Sequence, residues 1–226
     1  MNKLIKYLLK YLRKIVLRSQ REKKLAKVIS EEILLIKKNN KEINILDYGS
    51  GFKPLVISNI LEYLKSDFNK ININCCDYYT ENQLKKLKME FGETISFFNI
   101  DQLRSMDVKY DLSICADVLH HVGVDNSREI EKILNFLKSN SDFILIKDHY
   151  EFSLISRQIL RFMDFIGNYY NNVNIPKNYF TKNSYKNLIK KLNLISYKEI
   201  TNYYYYSKIF LFFANPKFHF ISILKK

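Results

Sequence analysis

Five aspartates, Asp47, Asp77, Asp101, Asp117 and Asp148, each close an apolar run, and His120, His121 and His149 follow the last two of them. Carboxylates placed that way accept hydrogen bonds from hydroxyl groups or pair with cations, while imidazoles exchange protons near neutral pH. The most informative stretch is Ile43-Asn44-Ile45-Leu46-Asp47-Tyr48-Gly49-Ser50-Gly51-Phe52-Lys53-Pro54. A short apolar strand there runs into an acid, and two glycines alternate through a turn that lets a ligand approach the backbone closely. Pro54 suits the first helical position, where its missing N–H costs no hydrogen bond. The pattern describes a strand–turn–helix nucleotide site. It excludes the usual dinucleotide turn, Gly-x-Gly-x-x-Gly, because the sixth position is Pro54 and an acid stands two residues before Gly49.

The elements that must position these groups alternate along the chain. After the glycine turn, Leu55–Leu64 has the pattern of a helix, residues 71–76 that of a strand ending on Asp77, and residues 81–90 that of a polar-faced helix. Residues 95–100 form a strand ending on Asp101, Tyr110–Ala116 a strand ending on Asp117, residues 128–137 a helix, and residues 143–146 a strand ending on Lys147-Asp148-His149. Strands alternating with helices predict a parallel sheet covered on both faces, with ligands gathered outside the carboxyl ends of the strands. All five aspartates lie at those ends. Residues 183–192 continue as a helix, and residues 194–200 and 218–224 as the last strands.

Residues 150–181 break the alternation. An apolar, helix-like segment 152–166 leads into Gly167-Asn168-Tyr169-Tyr170-Asn171-Asn172 and Ile175-Pro176. Its place above the strand ends suits a lid or a substrate wall, and an ordinary packed insertion is the alternative. Aromatic residues 203–206 and apolar residues 209–213 have no clear period and read as core or as an apolar wall for substrate.

The chain has 226 residues, 47% hydrophobic and 27% charged, which reads as globular rather than disordered. Cys75, Cys76 and Cys115 show no metal-ligand spacing, and a reduced cytoplasmic protein is expected, with no convincing secretory signal. The net charge of +14 is uneven: residues 1–27 carry ten Lys and Arg against the single acid Glu22. Residues 3–16 place Leu4, Ile5, Leu8, Leu9, Tyr11, Leu12, Ile15 and Val16 on one side of a helical wheel and Lys3, Lys6, Lys10, Arg13 and Lys14 on the other. Three readings stand: a helix docked on the domain, an amphipathic helix on an anionic membrane surface, and a polyanion-binding arm. Residues 26–38 continue as helix, with Ile29, Ile33 and Ile36 at core spacing. The expected domains are a basic helical extension, 1–39, and one domain, 40–226, with a lid-like insertion at 150–181.

On Asp47, Gly49 and Gly51 the chain resembles the class I S-adenosylmethionine-dependent methyltransferases, whose first motif is acid-x-Gly-x-Gly-x-Gly after a strand; Lys53 stands at the third glycine position. The resemblance covers about residues 40–148. It implies a Rossmann-like doubly wound α/β sheet of about seven strands, mostly parallel with an antiparallel last strand. It implies S-adenosylmethionine as cofactor, with Asp77 accepting both ribose hydroxyls and Asp101 near the adenine amino group. The cofactor-binding set it implies is Asp47, Gly49, Ser50, Gly51, Asp77, Tyr78, Asp101, Gln102, Ala116 and Asp117. The run from Tyr110 through Asp117-Val118-Leu119-His120-His121-Val122 resembles the fourth-strand motif and its turn. Asp117-Val118-Leu119 departs from the Pro-Pro-aromatic motif of nucleic-acid amino-methylating forms. Ile146-Lys147-Asp148-His149 with Met163-Asp164-Phe165-Ile166-Gly167-Asn168 is similar to a group of uncharacterised bacterial methyltransferases.

The resemblance implies methyl transfer, in which the protein aligns donor and acceptor and, where needed, removes a proton. The candidate catalytic groups are His149, Asp148 and His120, with His121 also in reach; an Asp148 carboxylate orienting His149 makes a sensible general base. No metal is expected. A small-molecule, sugar or lipid-linked acceptor leads, with peripheral membrane contact through residues 3–16 on the inner face. An RNA methyltransferase using the basic arm and a non-catalytic binding protein of the same fold are the alternatives.

Overall fold

The computed structural model describes residues 21–37, 41–168, 174–204 and 215–226; the predicted helix over residues 3–16 and most of the aromatic stretch at 203–213 lie outside them. Seven strands, β1 (Glu42–Tyr48), β2 (Lys70–Asp77), β3 (Ser96–Asn99), β4 (Tyr110–Ala116), β5 (Ser141–His149), β6 (Ile195–Thr201) and β7 (His219–Lys225), form one sheet in the order β3-β2-β1-β4-β5-β7-β6. Strand β7 runs antiparallel to both of its neighbours, and the remaining pairs are parallel. The expected Rossmann-like α/β sheet with an antiparallel last strand is the one found.

Period-two alternation assigns each strand residue to a face. Ile43 and Ile45 of β1, Ile73 and Cys75 of β2, and Leu112 and Ile114 of β4 pack with helices α1 (Arg21–Ile36), α2 (Leu55–Leu64) and α3 (Glu81–Phe91). Leu46 and Tyr48, Cys76, and Cys115 face the other way. They pack with the short helices α4 (Ile100–Arg104) and α5 (Leu119–Val122) and with α6 (Ser127–Asn140) and α8 (Lys182–Lys191). Helix α7 (Leu154–Asn168) follows β5 and buries only Ser156 and Leu160. Its Leu154 and Ile155 are more than two-thirds exposed.

Helix α1 begins earlier than its apolar spacing indicated. Leu25, Ala26, Val28, Ile29 and Ile33 belong to the same core cluster as the β1 and β2 side chains, so this part of the basic segment is built into the domain. Lys37, just beyond its end, pairs with Asp111 near the start of β4 at 2.5 Å, while Arg21 at its start pairs with Asp117 beyond the end of β4. The 16 residues of α1 span about 24 Å and therefore run the full height of the sheet, antiparallel to the strands.

Two local expectations need correction. Pro54 is the N-cap residue of α2, outside the helix, with ψ of 53°. Strand β5 is nine residues long and contains Lys147, Asp148 and His149, which the sequence pattern had placed after its end. The antiparallel partner β7 causes the extension: Lys147 pairs with Ile221, Asp148 with Phe220 and His149 with His219.

Candidate active site at the carboxyl edge of the sheet

Strand order reverses between β1 and β4, and the crevice outside the carboxyl ends of such strands is where this architecture takes ligands. One wall is the glycine turn. Gly49 and Gly51 have φ of +78° and +68°, the left-handed region that glycine occupies without cost. Gly49 is closed in: a Cβ there would meet Val118 Cγ2, from the turn after β4, at 2.4 Å. Around Gly51 nothing lies within 4 Å of such an atom, so its backbone faces open space. The N–H groups of Gly49 and Ser50 donate to the Cys76 carbonyl at 2.8 and 3.1 Å, which pins the turn to the end of β2.

Asp77 closes β2 and accepts the Gly51 N–H at 2.8 Å and the Tyr78 N–H at 2.7 Å, one on each carboxylate oxygen. Asp47 lies deeper, with no ion pair among the described residues; burial, and then the Asp77 charge, push its carboxyl up to about 7. Tyr79 supports the turn. It shares a 2.5 Å hydrogen bond with Ser50 Oγ and donates to the Gly51 carbonyl at 3.1 Å. Nothing in its local sequence distinguishes it from Tyr78, which is exposed. Asn99 Nδ2 donates to the Tyr79 carbonyl at 3.0 Å, and Gln102 accepts the Asn99 N–H, so Gln102 caps α4. Asp101 does not close a strand as its pattern indicated: β3 stops at Asn99, and Asp101 is exposed in the first turn of α4. The structure thus gathers Asp47, Gly49, Ser50, Gly51 and Asp77 around one turn. It places Tyr78 just after β2 and Asp101 and Gln102 on α4 beside it, and Ala116 and Asp117 across the crevice.

The opposite wall, built from β4, β5 and β7, is dense with ionisable side chains. Asp117 has φ of 58°, a strained value for a non-glycine residue, and its N–H donates to the Lys147 carbonyl at 2.8 Å. Its carboxylate pairs with Lys147 and Arg21; against the upward push of burial, those two charges and His120 hold it well below the usual carboxylate range. Burial lowers Lys147, with Asp117 opposing it. The Arg21–Asp117 pair spans 96 residues, beyond the reach of any local motif.

Asp148 lies closer to His120 than to His149, the partner expected for it. The His120 Nδ1–H donates to Asp148 Oδ1 at 2.7 Å, whereas His149 Nδ1 is 3.6 Å from that oxygen. Asp148 also contacts the His149 N–H at 2.7 Å and the His120 N–H at 3.2 Å. Burial works against protonation of His120, but Asp148 foremost, then Asp164 and Asp117, raise it to about 9. Burial and Lys147 keep His149 neutral, far below the usual histidine value, and its Nδ1 is buried without a hydrogen bond. Burial and Lys147 likewise lower His219, whose ring lies 4.8 Å from that of His149.

Side chains that the sequence left unassigned complete this wall. Tyr179, buried, donates to Asp164 Oδ2 at 2.5 Å, and Asp164 approaches His120 Nε2 at 3.6 Å. No ligand cluster was evident from spacing, yet potential ligand atoms of His120, His121 and Asp164 lie within 4.8 Å of one another, as do those of Asp117, His120 and His149. Asp164 comes from α7, so only the tertiary fold joins it to the histidine pair.

No protein-family model and no curated protein matches the chain. Solved structures do. The chain is similar to an S-adenosylmethionine-dependent methyltransferase from Clostridium acetobutylicum, with a TM-score of 0.57 and 12% identity over 90% of this chain and 91% of that one. It is also similar to the CMeT domain of the citrinin polyketide synthase (TM-score 0.61, 11% identity, 88% of this chain and 52% of that one). A third similarity is to the mitomycin 7-O-methyltransferase (TM-score 0.55, 14% identity, 81% of this chain). The chain spans about half the length of that third protein, 49%. At these identities the likeness establishes the fold, a Rossmann-like sheet shared with class I methyltransferases.

Proposed function

We propose that the protein transfers a methyl group from S-adenosylmethionine to a small-molecule, sugar or lipid-linked acceptor. The observation that carries this reading is the pairing of two differently disposed carboxylates with one open glycine at the topological switch point. Buried Asp47 gains from a nearby cation, half-exposed Asp77 can accept hydroxyl hydrogen bonds, and the backbone at Gly51 is bare toward the crevice. The cofactor's ammonium, ribose hydroxyls and amino-acid tail match those three features in kind. Asp101 and Gln102 would line its base, with Ser50, Tyr78, Ala116 and Asp117 beside it.

When bound, the sulfonium supplies an activated methyl group with a good leaving group. The chain's own residues then align the acceptor, exclude water and accept a proton where the acceptor releases one. His149 is placed for that last role: it is buried and held neutral, with Nδ1 3.6 Å from the carboxylates of Asp117 and Asp148. Asp148 fixes the backbone at both His149 and His120, and Lys147 anchors Asp117 on the same wall.

Membrane contact through residues 3–16 belongs to the same proposal and is supported by their basic, amphipathic sequence. No helix among the described residues is long and apolar enough to cross a membrane. Of the ten basic residues in 1–27, Arg21 is engaged in an internal ion pair with Asp117. A methyl-transfer screen with isotopically labelled S-adenosylmethionine against lipid, small-molecule and RNA pools tests the assignment. Label appearing in the lipid or small-molecule pool supports it; label in the RNA pool alone overturns the acceptor class.

A further inference from the structure

We propose that His120, His121 and Asp164 form a binding site for one divalent transition-metal ion of the zinc type, with a coordination position left open. His120 Nε2 is buried and has no hydrogen-bond partner, and Asp164 Oδ2 lies 3.6 Å from it. That separation is too long for a hydrogen bond. It fits two ligands of one ion: atoms each about 2.1 Å from a tetrahedral centre lie about 3.4 Å apart. The candidate atoms of all three side chains lie within 4.8 Å of one another, a spread that small side-chain rotations close.

The surrounding hydrogen bonds present the rings as ligands. Asp148 accepts from His120 Nδ1 at 2.7 Å, which leaves Nε2 toward the site. The Asn174 carbonyl lies 3.1 Å from His121 Nδ1, and since a carbonyl only accepts, that nitrogen carries the proton and Nε2 the lone pair, which faces the Asn168 amide at 3.4 Å and would exchange that contact for the ion. Carboxylate and carbonyl partners on the far nitrogen are how proteins orient metal-binding histidines and raise their basicity. Asp164 is itself held by the Tyr179 hydroxyl at 2.5 Å. Three protein ligands with one open position is the arrangement of catalytic rather than structural zinc sites.

The neighbouring group of Asp117, His120 and His149 is less suited. Lys147 and Arg21 already neutralise Asp117, and a dication there would face both charges. Asp164 pairs with no Lys or Arg among the described residues, and it retains some exposure, as does His121, which gives an ion a way in from solvent.

Cobalt(II) titrated into the full chain tests the assignment, because its visible d–d absorption reports geometry as well as occupancy. One equivalent binds, with the intense bands of a four- or five-coordinate site. Asp164→Asn and His121→Gln each weaken binding by at least about 10-fold, and Asp148→Asn, which takes the charge from the outer partner of His120, weakens it about 10- to 100-fold. His149→Gln leaves the cobalt affinity unchanged. Should Asp164→Asn fail to fold by circular dichroism, His121→Gln decides. Absence of saturable one-equivalent binding by the wild type overturns the proposal. So does binding that survives Asp164→Asn and His121→Gln, or binding lost in His149→Gln instead. S-adenosylmethionine binding measured without added metal reports on the methyl-transfer reading separately.

Discussion

The two walls of the crevice solve opposite electrostatic problems. On the β1–β2 side, Asp47 and Asp77 lie close enough for one to raise the other, and no cation among the described residues pairs with either. On the β4–β5 side, Asp117 and Asp148 are held by Arg21, Lys147 and His120. The first wall leaves charge for a ligand to satisfy. The second satisfies its charge internally and so fixes the imidazoles in place. A cofactor site and a reaction site differ in this way when affinity is needed on one side and rigidity on the other.

The largest test of that contrast is Asp148→Ala. It strips His120 of its carboxylate and leaves two backbone N–H groups without their acceptor, so removing this buried partner costs about 3–5 kcal/mol. Urea unfolding measures it; a loss below about 1 kcal/mol would place the second wall's rigidity elsewhere.

The β1–β2 wall makes a pH prediction of comparable size. In the ligand-free protein Asp47 titrates at about 7 against an ordinary 3.8, so the folded state holds this proton more tightly than the unfolded chain. Its contribution to stability is therefore full below about pH 4 and is lost as pH rises through 7, on the order of 4 kcal/mol in all. Asp47→Asn flattens that part of the stability–pH curve, measured by denaturant unfolding at pH 4, 5.5 and 7.5. An unchanged curve would mean Asp47 is not the group that titrates.

Asp77→Ala removes a charge-assisted acceptor of about 1.5–3 kcal/mol, which corresponds to roughly 10- to 150-fold weaker S-adenosylmethionine binding. Gly51→Ala has the smallest effect on the fold. Its left-handed φ costs about 1–2 kcal/mol in stability, with no collision, yet the methyl projects into the open space and cofactor affinity falls. Gly49→Ala, by contrast, adds the Val118 contact to the same backbone penalty and destabilises more. Equal thermal stability of the two variants would contradict the distinction between a packed and an open glycine.

The walls also differ in how far they can be read from the chain. Asp47, Gly49 and Gly51 lie within one turn, and period-two strands carry Asp77 and Asp117 to the same edge, so local rules locate them. The Asp148–His120 pair depends on the side each β5 residue faces, which is fixed only once β7 extends the strand to His149. Arg21 reaches Asp117 from a helix at the far end of the sequence, and Asp164 and Tyr179 arrive from a segment whose sequence showed only an apolar insertion. Pairings of that kind are set by tertiary register and carry no short-range signal.

The central claim is that the β1–β2 wall binds S-adenosylmethionine. Isothermal calorimetry of the full chain with S-adenosylmethionine tests it most directly. The account predicts one-to-one binding by the wild type, weakened roughly 10- to 150-fold in Asp77→Ala. No binding by the wild type, or equal affinity in the variant, would contradict it.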